Sequence, residues 1–228
     1  MLQLLQMNSF LETNKDWLRQ TLIVLYLIVL FLPGYVFITA RGGFDFYQTE
    51  NFKTFAALMF PLFGLYAFTL VWLQTIIGMN MFSFNRLFGN AVSFHRAQGL
   101  FALLLATTHA LAIPYVYTLQ QYIGYKFLPT DLRIFALLGT TAYLLLLLSI
   151  TAALTRRTKF MRKIWRYIHF GNYLVFILIF IHSRNLGSDV RGTILNYLWY
   201  FFAVTFLISI GFRLSRIFAR KATTVPSA

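Results

Sequence analysis

The chain contains two apolar segments that each begin and end with histidine, 95-HRAQGLFALLLATTH-109 and 169-HFGNYLVFILIFIH-182. These segments hold all 4 histidines, which are 14 (109 − 95) and 13 (182 − 169) positions apart within each pair. At the rise of an α-helix, either spacing corresponds to roughly 20 Å, about two-thirds of the thickness of a bilayer core. Two such helices side by side would therefore place two imidazoles at each of two depths.

The composition independently indicates a membrane protein. The 228 residues are 59% hydrophobic and 11% charged, whereas a soluble domain carries about 25% charged residues. The mean hydropathy of +0.67 agrees with this interpretation. The chain contains no cysteine, which excludes disulfides, iron–sulfur clusters, thiolate metal sites and covalently attached haem. Any haem would be held non-covalently.

Six segments have the length and apolar character of helices that cross a lipid membrane, so the predicted fold class is all-α, an integral membrane six-helix bundle. The predicted spans are 21–39, 54–77, 97–117, 133–154, 167–183 and 193–212. Residues 79–93 are too polar to span, and we expect them to connect two spans at the membrane interface. The expected organisation is an N-terminal segment (1–20), one six-span membrane domain (21–212) and a tail (213–228).

The distribution of basic residues predicts the orientation. With six spans both termini lie on one side of the membrane, and 14 of the 20 Lys and Arg residues belong to that side. The remaining six are Arg41, Lys53, Lys126, Arg133, Arg184 and Arg191. Because positive charge accumulates on the cytoplasmic side, we expect both termini in the cytoplasm. We also expect the membrane to be the inner membrane of a bacterial cell. The net charge of +14 then requires no nucleic acid as a partner.

The third and fifth predicted spans run in the same direction, so the histidines pair by depth: His95 with His169 on the inner side, His109 with His182 on the outer side. Two imidazoles per level are too few for a bare zinc ion, which takes three or four protein ligands. The six acids all lie outside the predicted spans, at Glu12, Asp16, Asp45, Glu50, Asp131 and Asp189. Two axial nitrogens suffice when a porphyrin supplies the other four. The pattern predicts two b-type haems, one iron per pair; the alternative is that the histidines hydrogen-bond to neighbouring helices.

Other residues near the histidines are candidates for haem contacts. Gly99 and Gly171 lack a side chain and would admit a ring, although glycine is also common where membrane helices pack. Arg96, Arg166 and Arg184 are candidates to pair with haem propionates; the alternative is that they anchor the span ends at the interface. The 13-residue spacing would place His169 and His182 about 140° apart around the axis of an ideal helix. Either the fifth helix is tilted or irregular, or the two cofactors are approached from different sides.

Four short motifs carry a resemblance to a known family. They are FHRAQG at 94–99, THA at 108–110, WRYIH at 165–169 and IHS at 181–183. They resemble the ferric reductase-like transmembrane domain shared by NADPH oxidases, ferric reductases and the haem subunit of the periplasmic methionine sulfoxide reductase system. The resemblance covers residues 54–212. It implies that His95 and His169 bind an inner b haem, and His109 and His182 an outer one.

Two departures from this family bear on function. Its oxidases and ferric reductases continue into a flavin and NADPH domain, whereas only residues 213–228 follow the sixth predicted span, without a glycine-rich dinucleotide turn. Its oxidases also carry a histidine one turn after the outer ligand of the third helix, where this chain has Ile113. We therefore expect the electron donor to be a separate cytoplasmic flavoprotein, a membrane quinol or a flavin bound at the inner face, and no dedicated superoxide production.

The sequence thus predicts a transmembrane di-haem b cytochrome, an oxidoreductase component for electron transport from a cytoplasmic-side donor to an outer-side acceptor, either ferric iron or a reductase. His95 favours two haems, since the sulfoxide reductase subunit generally lacks this ligand. One alternative is a quinol-linked cytochrome b subunit of a periplasmic reductase. A second alternative is a non-catalytic membrane scaffold or transporter, although the absence of acids within the predicted spans counts against proton-coupled transport.

Overall fold

Long helices dominate the computed structural model, which describes residues 14–49 and 51–223. In chain order the helices are α1 (Lys15–Thr39), α2 (Phe52–Met79), α3 (Met81–Phe88), α4 (Ala91–Val116), α5 (Leu119–Tyr122), α6 (Arg133–Leu154), α7 (Met161–Phe170), α8 (Asn172–Leu186) and α9 (Leu195–Thr223). Short 3₁₀ turns lie at Phe44–Tyr47, Ile123–Tyr125 and Thr130–Leu132. The described ranges contain no β-strand, which confirms the all-α prediction.

Six stretches of the described residues are long and apolar enough to cross a membrane. They are α1, α2, α4, α6 with the 3₁₀ turn before it, α7 together with α8, and Leu195–Ser215 within α9. This confirms the predicted integral membrane six-helix bundle. Residues 79–93, predicted as an interfacial connection, contain the short helix α3, which joins α2 to α4.

The two predicted terminal segments are partly described. Within the N-terminal segment 1–20, α1 already begins at Lys15. Within the tail 213–228, α9 continues to Thr223. Residues 1–13 and 224–228 lie outside the described residues.

The fifth span consists of two helices, α7 and α8, which meet at Gly171. The Gly171 N–H donates to the Ile168 carbonyl at 2.9 Å, one residue short of the α-helical pattern. A Cβ at position 171 would lie 2.8 Å from that oxygen, so the tight turn favours glycine. Because a tighter turn changes the angular position of the residues after it, this irregularity accommodates the 13-residue spacing of His169 and His182.

The largest of the fully buried side chains are aromatic and lie where α1, α2, α8 and α9 meet. Each of the following is at most 2% exposed: Phe37, Phe68, Phe176, Trp199 and Phe202. Large apolar side chains on the outward faces of α1 and α4 are exposed and would meet lipid in a bilayer. The aromatic core therefore fixes one side of the bundle, away from α4.

The histidine-bearing helices lie diagonally across a group of four. α2 packs along α4, α6 packs along α7 and α8, and the two pairs meet where α4 contacts α6 and α2 contacts α8. Within residues 14–49 and 51–223, α4 does not pack along α7 or α8. The histidine side chains of α4 and of the fifth span therefore face each other across the space between these helices. Helical bundles commonly hold cofactors in this arrangement.

Candidate haem-binding sites

The structure brings the four histidines together in two pairs. The ring centroids of His95 and His169 are 6.2 Å apart, with 75° between the ring planes. Those of His109 and His182 are 6.4 Å apart, with 84° between the planes. Two imidazoles bound to one metal from opposite sides, each at about 2 Å from its nitrogen, place their centroids about 6 Å apart. Both separations fit one iron between two axial histidines.

Backbone carbonyls of neighbouring helices hold the two outer histidines. The His109 Nδ1 lies 2.8 Å from the Phe60 carbonyl oxygen on α2, and the His182 Nδ1 lies 2.8 Å from the Phe135 carbonyl oxygen on α6. Because a carbonyl oxygen only accepts, Nδ1 donates in both rings and Nε2 keeps its lone pair. Nε2 is then the nitrogen available to a metal.

A glycine makes each of these bonds possible. Gly64 and Gly139 lie four residues after the two accepting phenylalanines, and residue i+4 of an α-helix lies beside the carbonyl of residue i. A Cβ at Gly64 would lie 2.8 Å from Cε1 and 2.9 Å from Nδ1 of His109. A Cβ at Gly139 would overlap the ring of His182. Any other residue at either position would push the imidazole away from its carbonyl.

The antiparallel register of α2 and α4 sets both depths. Gly64 faces His109 and Gly78 faces His95, and both separations are 14 residues (78 − 64 and 109 − 95). The same antiparallel alignment of α2 and α4 therefore places a glycine opposite each of the two histidines of α4. A Cβ at Gly78 would lie 3.4 Å from Cε1 of His95, which is ordinary van der Waals contact. The inner ring is thus less closely confined than the outer ring.

Side chains, rather than carbonyls, surround the inner histidines. The His169 Nδ1 lies 3.2 Å from the Ser149 Oγ and 3.4 Å from the Asn172 Nδ2. The His95 Nδ1 is buried and has no hydrogen-bond partner in the described part of the chain. The inner pair therefore has weaker local support than the outer pair.

A cavity of about 480 Å³ lies beside the inner pair, within the size range of about 300–1,000 Å³ that is typical of ligand pockets. His95 and His169 line it, and most of the remaining wall is apolar. Arg96, Arg156 and Arg213 also line it, and no acidic residue of the described chain does. The cavity therefore suits an apolar ligand with a negatively charged edge, which describes a porphyrin with propionates.

The family described as ferric reductase like transmembrane component matches residues 63–180, which are 118 of the 228 residues. The chain belongs to this family. The match contains His95, His109 and His169 and ends two residues before His182. No curated protein and no solved structure matches the chain. The family is known to bind haem, and membership supports a membrane oxidoreductase component.

The donor set of this ferric reductase-like chain fits haem at both levels. Within residues 14–49 and 51–223, no three His, Cys, Asp or Glu side chains come together to hold a bare metal ion. Each level instead offers two imidazoles, which is the axial set of a b-type haem. The diagonal space between α4 and the fifth span separates the two ligands at each level.

The predicted glycine contacts differ in position. Gly99 lines the inner cavity, one helical turn from His95. Gly171 does not line it and instead forms the junction of α7 and α8. Proximity to haem stays a prediction for both glycines, and at Gly171 the tight turn is a sufficient structural reason for glycine.

The predicted arginine contacts also differ. Arg96 lines the inner cavity. Arg166 is exposed, and its guanidinium lies 5.7 Å from the centroid of the Trp165 ring. Arg184, two residues after His182, donates to the Tyr200 hydroxyl at 2.9 Å. Pairing of all three arginines with propionates stays a prediction.

Sequence reasoning missed several residues of the ferric reductase-like sites. Gly64 and Gly78 repeat on α2 the 14-residue spacing of the histidines on α4, and that matched spacing is a signal that could have identified them. Arg156 and Arg213 also line the inner cavity. The sequence indicated only that they carry positive charge near one end of the bundle, because the walls of a cavity depend on how the helices pack.

Proposed function

We propose that this ferric reductase-like chain is a transmembrane di-haem b cytochrome that carries electrons from the cytoplasmic side to an acceptor on the outer side. The observation that carries the proposal is the 6.2 and 6.4 Å separation of the ring centroids in the two histidine pairs. Each bound haem would supply a ferric/ferrous couple for one electron. His95 and His169 would hold the inner iron, and His109 and His182 the outer iron.

The residues around the inner cavity support an orientation for the inner haem. Arg96, Arg156 and Arg213 would bind its propionates through charge-assisted hydrogen bonds. The apolar side chains of the wall would exclude water from the macrocycle. The anionic edge would then face the arginine-rich, cytoplasmic end of the bundle.

The direction of electron flow follows from the orientation. The split of 14 to 6 basic residues favours a cytoplasmic location for both termini, which puts the His95 level on the cytoplasmic side. A membrane potential that is positive outside favours outward electron movement by about 2.3 kcal/mol per electron for each 100 mV crossed. In a bacterial inner membrane, the acceptor would be ferric iron or a periplasmic reductase.

The basic stretch 156–166 is the proposed docking surface for the donor. Arg157, Arg162 and Lys163 are exposed there, close in sequence to Arg156 of the inner cavity. A separate flavoprotein with an acidic surface would be steered to this stretch, and salt would weaken the contact. A membrane quinol would instead reach the inner haem independently of this charge.

Haem content tests the proposal. Pyridine haemochrome analysis of the purified chain should give about two haems per chain, one for each histidine pair. The double variant His95→Leu/His169→Leu should lose one haem, because both residues belong to one site. The matched double variant His95→Leu/His109→Leu should lose both. A colourless, folded preparation from haem-replete cells would refute the proposal.

Reporter fusions test the orientation. A reporter that is active only in the cytoplasm should be active after Ala228 or beside Lys159, and silent beside Tyr125 or Asn185. The opposite pattern would place the His95 level outside and reverse the proposed direction.

Donor kinetics test the docking surface. Replacing Arg162 and Lys163 with Gln should slow haem reduction by a flavoprotein donor and reduce its salt dependence. Replacing Lys126 and Arg191, on the opposite side of the membrane, should leave the rate unchanged. Equal rates in both variants would exclude the stretch 156–166 as the docking surface and favour a quinol as the donor.

A further inference from the structure

Hydrogen bonds at Nδ1 distinguish the two histidine levels. Both outer rings donate at 2.8 Å, within the usual range of about 2.7–3.2 Å for N–H···O bonds. The nearest partner of the His169 Nδ1 is the Ser149 Oγ at 3.2 Å, the upper end of that range. The His95 Nδ1 has no partner in the described residues. The inner ligands are therefore the more weakly bonded pair.

Ser149 and Asn172 are the polar side chains behind His169. Ser149 is only 1% exposed on α6, and its hydroxyl oxygen can accept from Nδ1–H, which leaves Nε2 to a metal. Asn172 is the first residue of α8, and its Oδ1 is buried without a partner in the described residues. A 180° rotation of the amide turns this acceptor toward the same Nδ1–H.

The strength of the hydrogen bond from Nδ1–H affects how strongly a histidine donates electrons to iron through Nε2. A short bond to a good acceptor makes imidazole a stronger donor through Nε2, which stabilises ferric iron over ferrous iron. The outer level has two such ligands, whereas the inner level has one weakly bonded ring and one without a bond. Positive charge from Arg96, Arg156 and Arg213 acts in the same direction, since it favours the reduced inner haem.

We propose that Ser149 and Asn172 are positioning residues that orient His169, and that the inner haem has a more positive midpoint potential than the outer haem. This inference rests on the proposed di-haem function. The first electron to enter the chain then resides on the inner haem, and the membrane potential assists its transfer outward. Ser149 makes the inner potential adjustable by a side chain, whereas the carbonyl bonds of the outer level have no such residue.

A redox titration followed in the visible spectrum tests the ordering. The wild-type chain should titrate in two components, and the His95→Leu variant, which retains the outer haem, should titrate at the more negative value. If His95→Leu retains the more positive component, the ordering is wrong. A wild-type chain without haem would refute the proposed function itself, so the two failures are distinguishable.

Substitution of Ser149 tests its role. Ser149→Ala should shift the more positive component to a still more positive potential and leave the other unchanged, because only one ring loses its acceptor. Ser149→Thr, which keeps a hydroxyl, should retain the wild-type potential. Thr69→Val is a matched control: it removes a buried hydroxyl that, among the described residues, donates to the Leu65 carbonyl of its own helix, at 2.9 Å.

Two results would overturn the assignment of Ser149. One is an unchanged potential in Ser149→Ala, and the other is a shift of the more negative component. If Ser149→Ala does not retain the inner haem, Asn172→Leu provides the same test, since it removes the second acceptor and should move the same component in the same direction. The low-spin ferric signal in electron paramagnetic resonance should change for that haem alone.

Discussion

The outer and inner histidine levels use the same ligand type but are supported by different parts of the chain. At the outer level, His109 and His182 donate to helix carbonyls at 2.8 Å, with a glycine beside each carbonyl. At the inner level, Ser149 and Asn172 lie at 3.2 and 3.4 Å from the His169 Nδ1. The outer geometry therefore depends on the backbone and on glycine, whereas the inner geometry depends on side chains that substitution can adjust.

The largest expected effect is loss of the outer haem from Gly64→Ala. A methyl group at this position would come within 2.9 Å of the His109 ring and displace it from the Phe60 carbonyl. The haem-to-protein ratio should fall by about one, with the inner haem retained. Gly139→Ala should have the same result, since its Cβ would overlap the His182 ring.

Gly78→Ala is the matched control on the same helix. The added Cβ would lie 3.4 Å from the His95 ring, so both haems should remain. If Gly64→Ala and Gly78→Ala lose haem equally, confinement by glycine does not distinguish the two levels.

A second effect concerns the loops that follow α1 and α8, where Arg41 forms an ion pair with Asp189. Asp189 is 7% exposed, so Arg41→Gln leaves a buried carboxylate without its charge partner. We expect the free energy of unfolding in detergent to fall by about 2 kcal/mol, less than for a fully buried pair because the Arg41 side chain is 23% exposed. Thermal unfolding measures this change.

The double variant Arg41→Gln/Asp189→Asn should recover most of that stability, because it removes both charges. The potential of the outer haem should be unchanged in either variant, since carbonyls hold its ligands. A shifted outer potential would mean that the loops, and not only the helix backbone, support the outer level.

A third effect concerns the inner cavity. Arg156→Gln should increase the rate of haem transfer to an excess of an apo-acceptor protein by about tenfold for the inner haem, from loss of one charge-assisted bond worth about 1.5 kcal/mol. The adjacent Arg157 is exposed and does not line the cavity, so Arg157→Gln is the matched control. Equal rates in the two variants would exclude Arg156 as a propionate partner.

The smallest expected effect is from Trp199→Phe. The Trp199 Nε1 donates to the Ser183 Oγ at 2.8 Å, next to His182. The lost hydrogen bond and the smaller ring in this buried position should together lower the free energy of unfolding by about 1–2 kcal/mol and leave the outer haem spectrum unchanged. Trp17, which is 62% exposed, is the control position, and Trp17→Phe should change neither quantity. A changed outer spectrum in Trp199→Phe alone would show that side chains also tune that level.

The fold and the histidine pairing could be predicted from sequence because both depend on regular periodicity. Apolar length defines the six spans, and the rise of a helix places His95 and His109 at two depths. The interruption at Gly171 could not be placed in advance, since one glycine in a membrane helix is compatible with a continuous helix. Only the spacing to His182 indicated an irregularity.

The hydrogen-bond partners of the histidines were harder to predict because they lie on other helices. The acceptor of His109 is a carbonyl 49 residues earlier in the chain, and every residue has a carbonyl, so side-chain identity gives no signal. Ser149 likewise becomes relevant only through the packing of α6 on α7. Arg213 reaches the cavity from the last helix, far in sequence from either histidine pair.

The diagonal placement of α4 and the fifth span has a consequence for biogenesis. α2 with α4, and α6 with α7 and α8, are two hairpins that can enter the bilayer in succession, each with its own internal packing. Neither hairpin contains a complete ligand pair, because His95 and His109 belong to the first, and His169 and His182 to the second. Under the proposed function, each bound haem therefore links the two hairpins in addition to the packing of α4 on α6 and of α2 on α8, so haem supply would influence how much mature protein accumulates.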